Sequence, residues 1–230
     1  MATTPGLIHG RFERGFGWIP EPGGLMERSC TALAVDGKVW LIDPERMPDV
    51  EREIEALGTP AGIVMTIGWH DRDVDWYSAR YGIPVYAAAH LRTVLVRSRV
   101  QRVVGTVPGT PFQLLDVSAR GVSRFWTESA LWWPEEGVLV TGDAIGSASY
   151  FVPRSQRAGQ RLGVHPFRRP SPPDQLRGVS PRRVFPGHGV SVDEDAAGAL
   201  TQALDSAPKD TVKGIITSVR EVVSRLRGKG

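Results

Sequence analysis

The chain has 230 residues, of which 41% are hydrophobic and 23% charged, and a formal net charge of +3. That composition is ordinary for a soluble globular protein and supplies ample apolar material for a core. The single cysteine, Cys30, excludes an internal disulfide and points to a reducing compartment. No apolar run approaches the roughly 20 residues needed to span a bilayer, and the N-terminus lacks the continuous apolar segment of a secretory signal. A cytoplasmic protein without a membrane partner is therefore expected.

In chain order, CTALAVDG and KVWLIDP read as two strands joined by an Asp36-Gly37 hairpin turn. PDVEREIEALG reads as a helix stopped at Gly58, AGIVMTIG as a short buried strand, DVDWYSARYG as a helix stopped at Gly82, and IPVYAA as a further strand. Residues 100–116 are punctuated by Gly and Pro and predict short strands and turns. SALWWPEEGVLVTGDA predicts two strands joined at Pro134-Glu135-Glu136-Gly137, and RRVFPGHG a short strand entering a loop. DEDAAGALTQALDSA reads as a helix. A second, amphipathic helix is expected over residues 209–227, with Val212, Ile215, Ile216, Val219, Val222, Val223 and Leu226 on one face. Strands alternating with helices predict a layered α/β domain spanning residues 1–230.

Charge is unevenly spread. Residues 151–183 hold eight Arg and one Asp. Pro153, Pro166, Pro170, Pro172 and Pro173 argue against one continuous helix there. Either this is a solvated loop, or it is a face for a small anionic ligand, with Arg168 and Arg169 as the binding forks. The stretch has few aromatics to stack on bases, so no nucleic-acid partner is expected.

Three loops, each following an apolar strand, carry chemistry. They are Trp69-His70-Asp71-Arg72-Asp73, Thr141-Gly142-Asp143-Ala144 and Pro186-Gly187-His188-Gly189. Imidazole and carboxylate delivered by separate strand ends are the donors a Zn or Fe ion takes. Taken alone, His70 also reads as a surface histidine, Asp143 as a turn cap and His188 as a satisfied loop histidine. His9, His90 and His165 match no such pattern and are read as non-ligands. Trp69 and Trp76 flank the first loop and are candidates for an apolar pocket lining.

Together the loops resemble the metallo-β-lactamase superfamily, over about residues 29–207. LIDP is similar to the family strand that ends in a supporting Asp, here Asp43. LVTGDA is similar to the strand whose Asp bridges two metals, here Asp143, and VFPGHG to the loop with the last metal His, here His188. The resemblance implies a four-layer αβ/βα sandwich, two mixed sheets face to face with helices outside. It also implies a metallo-hydrolase. The opening motif departs from the family's His-x-His-x-Asp-His. Placing His70 on the second His puts Gly68 on the first, Arg72 on the Asp and Asp73 on the last His. Anchoring on Thr66 instead keeps Asp71 but puts Ile67, Trp69 and Arg72 on the histidines. The next family His has no counterpart in SRFWTES, where Glu128 is the nearby carboxylate.

The surviving ligand set is thus His70, Asp143 and His188, with Asp73 as a substitute. It suits at most one Zn, Fe or Mn ion, or none. Arg72 is expected at the cleft wall, as an ion-pair partner of Asp143 or a contact to substrate. Three functions remain open. One is a hydrolase of an ester, lactone, thioester, amide or phosphodiester that uses these three residues. Another is a non-catalytic ligand- or partner-binding protein that has lost its metals. The last is a metal-free enzyme with His70 or His188 as general base.

Overall fold

The computed structural model describes residues 5–120, 125–152, 159 and 161–227, and for residues 212–227 the backbone alone. An N-terminal meander comes first: β1 (Leu7–Phe12), β2 (Gly15–Ile19), β3 (Cys30–Val35) and β4 (Lys38–Ile42), all antiparallel. The β3–β4 turn has positive φ at Asp36 (51°) and Gly37 (75°), the backbone a two-residue hairpin needs to follow strand twist. Then α1 (Val50–Leu57) crosses over to β5 (Thr59–Met65), α2 (Val74–Tyr81) to β6 (Val85–Ala88), and β7 (Val100–Val103) closes the sheet. From β4 to β7 the pairing is parallel. The seven strands lie side by side in sequence order.

The second sheet is built from β8 (Gln113–Asp116), β9 (Ser129–Trp133), β10 (Val138–Val140) and β13 (Arg183–Phe185), in the order β13-β10-β9-β8, with β10 and β13 parallel. A small ribbon of β11 (Ile145–Gly146) and β12 (Gly163–Val164) stands beside it, and α3 (Ala196–Arg227) follows. Strand alternation sorts the two faces of this sheet. Leu131, Trp133, Val138, Val140 and Phe185 join the core shared with Trp18, Leu33 and Trp40 of the large sheet. Ala130, Leu139 and Val184 point the other way, onto Ala199, Leu200, Ala203 and Leu204 of α3. Two mixed sheets thus pack face to face with helices outside, the expected α/β sandwich.

Two details differ from the sequence reading. The β1–β2 hairpin is not signalled by LIHGRFERGFGWI, because glycines weaken a strand pattern. Here His9 pairs with Gly17, and its ring occupies the space a Cβ at Gly17 would need. The C-terminal region is one helix running through Pro208 rather than two. The apolar residues from Val212 onward have side chains outside the described residues, as does Pro153 altogether. As its prolines lead one to expect, the stretch 161–183 forms no single helix: it holds β12 and 3₁₀ turns at Pro166–Arg168 and Asp174–Gly178. Among the described residues no helix is long and apolar enough to cross a membrane.

Candidate metal centre

The parallel pairings decide where the site forms. Because β4 and β5 run together, their C-terminal ends emerge side by side. The Asp43 N–H donates to Val64 O at 3.1 Å, and Thr66 donates to Asp43 through its backbone N–H (2.9 Å to Oδ1) and its hydroxyl (to Oδ2). The chain then turns through residues 67–73, with His70 N–H on Ile67 O at 3.2 Å. In the other sheet β10 and β13 end together, and the Thr141 N–H donates to Phe185 O at 3.0 Å. The following loops touch at two glycines, where a Cβ on Gly187 would lie 2.6 Å from Gly142 O. Only glycine permits that approach, and it sets Asp143 beside His188.

His70, Asp143 and His188 converge, with exposures of 6%, 7% and 4%. Asp143 Oδ1 lies 2.8 Å from His70 Nε2 and 2.8 Å from His188 Nε2. The opposite ring nitrogens are tied down. His70 Nδ1 donates to Asp43 Oδ2 at 2.9 Å, and His188 Nδ1 donates to Met26 O at 2.8 Å. Asp143 Oδ2 accepts from the Trp69 indole N–H at 2.9 Å. With both Nδ1 protons taken up, each Nε2 of a neutral ring presents a lone pair to an oxygen that also bears lone pairs. Such a contact needs positive charge between the atoms, either a proton or a metal ion.

Charge balance follows the same lines. Burial and the Arg72 charge push the His70 pKa down, but Asp143 and Asp43 outweigh them and raise it to about 9. Burial pushes Asp143 up, yet the two histidines hold it well below the usual carboxylate range. Glu128 is fully buried, and burial with the Asp143 charge raises it to about 7. Its Oε1 accepts from the N–H groups of Gly142 (3.2 Å) and Ala144 (3.0 Å), and its Oε2 from Trp126 Nε1 (2.7 Å). Glu128 therefore braces the turn that carries Asp143.

The donor set fits one ion. One ligand atom from each of His70, Asp143 and His188 lies within 4.8 Å of the others, and among the described residues this is the sole group of its kind. Two imidazoles and a carboxylate are the donors of many open zinc sites. Each imidazole already has the outer acceptor that orients a metal-bound histidine. Among the described residues a second ion has no matching set. Asp43 is engaged by Thr66 and His70, Glu128 by the Asp143 turn, and Asp73 by Arg46.

The other expected site residues lie elsewhere or act otherwise. Asp73 is not in the cluster; its Oδ2 accepts from Arg46 N at 2.7 Å. Arg72 does not pair directly with Asp143. Its Nη1 donates to Ser29 O (2.6 Å) and Asp43 O (2.9 Å), and its Nη2 to Gly187 O (3.2 Å). The cation knots three strand ends, and positive φ at both Asp43 (45°) and Arg72 (34°) bends the backbone to meet it. Arg168 is 1% exposed and donates to Val117 O and Ser171 O, while Arg169 donates to Val164 O and Phe151 O. Both hold loops together through Nε and Nη2, and the remaining Arg168 Nη1 is buried without a partner. Trp69 is at the site, but Trp76 packs under Arg46, away from it. Glu128's bracing role and the place of His165 beside Asp143 were not signalled by spacing.

No family model matches the sequence, and no curated protein does. The backbone, however, is similar to that of several solved structures. The DIM-1 metallo-β-lactamase is 14% identical, with a TM-score of 0.58 over 90% of this chain and 100% of that one. The metallo-β-lactamase FIM-1 from Pseudomonas aeruginosa, in a mono-zinc form, is 14% identical with a TM-score of 0.60, covering 89% and 96%. VMB-1 is 16% identical with a TM-score of 0.61, covering 91% and 99%. The chain has the metallo-β-lactamase fold. In the metallo-β-lactamase fold seen here, the site sits where the C-terminal ends of β4 and β5 meet those of β10 and β13.

Proposed function

We propose that this protein is a hydrolase with a single-metal site held by His70, Asp143 and His188, acting on an ester, lactone, thioester, amide or phosphodiester. The observation that carries this reading is the convergence of His70 Nε2 and His188 Nε2 on Asp143 Oδ1, with both Nδ1 atoms already bound to acceptors. A zinc, iron or manganese ion bound there would supply a Lewis acid and an acidified water. The chain's own part is positional. Asp43 fixes the His70 ring, Trp69 and Glu128 fix Asp143 and its turn, and Arg72 locks the strand ends that carry them.

A second reading, a binding protein without a metal, draws support from one feature. The Arg72 guanidinium contributes permanent positive charge beside Asp43 and Asp143, both of which raise its own pKa against burial. Metal content of the purified protein, together with turnover of a panel of esters, lactones and phosphodiesters before and after His188→Ala, separates the two. One equivalent of metal and turnover lost in the variant is the expected result. Two equivalents with full turnover overturn the single-ion site; no metal and no turnover in a folded protein leave the binding reading.

A further inference from the structure

The wall beside the metal centre is aromatic. Trp69, whose N–H holds Asp143, meets Trp126 edge-on at 5.3 Å. Trp126 lies 4.8 Å from His165, His165 lies 5.5 Å from Phe151, and Phe151 stacks on His188 at 5.4 Å. The contacts form a closed circuit from Asp143 back to His188. Phe167 sits 5.5 Å from His165 and is 71% exposed, and Trp69 is 38% exposed. The rim of the wall therefore offers apolar surface to solvent directly beside buried polar groups, the usual make-up of a small-molecule site.

Among the described residues, two polar side-chain atoms at this wall have no hydrogen-bond partner: Arg168 Nη1, buried over the Trp126 ring, and the Nε2 of His165. His165 is 6% exposed, and its backbone N–H donates to Ala144 O at 3.0 Å, next to Asp143. Its Nδ1 accepts from the Phe167 N–H at 3.2 Å, so the ring proton resides on Nε2. Among the described residues nothing accepts from that Nε2–H. Burial lowers the ring's pKa to about 4, which keeps it a neutral donor. That donor is open to an acceptor from a ligand in place of water.

The surrounding charge narrows the ligand. Asp43, Asp143 and Glu128 are carboxyl groups, and Arg72, Arg168 and Arg169 all donate to backbone carbonyls. Two guanidinium atoms here lack a partner, Arg72 Nε and Arg168 Nη1, and both are buried and so not offered to a phosphate or carboxylate. We propose that Trp69, His165 and Phe167 form a substrate wall for an uncharged carboxylic ester or lactone with an apolar chain, whose oxygen accepts from the His165 Nε2–H. This assignment rests on the hydrolase reading above and selects within its substrate classes.

The test is calorimetric binding of γ-decalactone and of bis(4-nitrophenyl) phosphate to the purified full chain, wild type, Phe167→Ala and His165→Phe. His165→Phe keeps a ring in the stack and removes the donor. Phe167 is exposed, so its truncation leaves folding intact and keeps the test decisive if His165→Phe misfolds. Expected are a lactone affinity well above that for the phosphodiester and a roughly tenfold loss in His165→Phe, as for one lost hydrogen bond. A several-fold loss is expected in Phe167→Ala. Lactone binding with this pattern but no turnover would support the wall and defeat the hydrolase reading. Lactone turnover with Kd and KM unchanged in both variants would do the reverse. Absent lactone binding, or tighter binding of the phosphodiester, overturns the wall.

Discussion

Asp43 holds His70 by the ring nitrogen that faces away from the cluster, Nδ1 to Oδ2 at 2.9 Å, and thereby decides which nitrogen is left for Asp143. Asn at position 43 still accepts from the Thr66 N–H, but its amide would face both the Thr66 hydroxyl and the His70 Nδ1. The histidine then takes the opposite tautomer and carries its proton on Nε2. Asp43→Asn is expected to lower metal affinity about 10–100-fold, as outer-acceptor changes do elsewhere. Competition with a chelator measures this. Unchanged affinity would show that Asp43 does not set the tautomer.

Metal uptake should depend on pH through the same ring. The His70 proton, held up to about 9 by the carboxylates around it, must leave before Nε2 can bind an ion. Below that pH the apparent metal affinity is expected to rise by about tenfold for each unit of pH. Chelator titrations at three pH values would give the slope; a flat profile would mean that the ion does not displace this proton.

Arg72 makes hydrogen bonds to the carbonyls of Ser29, Asp43 and Gly187. Arg72→Met removes a charged donor from all three and is expected to destabilise by about 2–4 kcal/mol in denaturant unfolding. Arg72→Lys should recover little of it, because one ammonium cannot reproduce a planar fork spread over three acceptors. Full rescue by lysine would show that charge alone matters.

Gly187 is a contact point between the two loops of the second sheet. A methyl group there meets Gly142 O at 2.6 Å, so Gly187→Ala is expected to cost about 1–3 kcal/mol and to weaken metal binding by parting Asp143 from His188. Thermal unfolding and metal titration of the variant report the two effects separately.

His9 and His165 each accept a backbone N–H at Nδ1, and burial lowers both to about 4 from an ordinary 6.5. Between those values the unfolded chain binds more protons, so stability present above pH 6.5 is lost as pH falls toward 4. His9→Gln preserves the hydrogen-bonding pattern without a titrating group. Its unfolding free energy should fall less than that of the wild type between pH 6.5 and 4.5. Parallel curves would remove His9 from the account.

The strands, the Asp36-Gly37 turn and the helix stops at Gly58 and Gly82 were legible because local chemistry specifies them. His70, Asp143 and His188 were legible as candidates because each follows an apolar strand with glycine nearby. Partners were not. Whether Arg72 reaches Asp143 or three carbonyls depends on positive φ at Arg72 and on strand ends far apart in sequence. The arginines of residues 151–183 read as a charged face in one dimension. In three, Arg168 and Arg169 turn inward to carbonyls, and Arg177 pairs with Asp174 and Asp205. His165 was discounted because it matched no ligand spacing, and spacing says nothing about a ring packed against the site from the side.

The loops at the ends of β4, β5, β10 and β13 also set the order of events in folding. The bonds that define the centre join residues 73, 115 and 162 positions apart, so they belong to the slowest class of contacts to form. A nascent or partly folded chain has neither sheet edge in place and hence no ligand triad. Metal added to refolding protein should therefore leave the early rate untouched and slow only the reverse, unfolding step, making the ion a latch on a finished structure and not a nucleus for it.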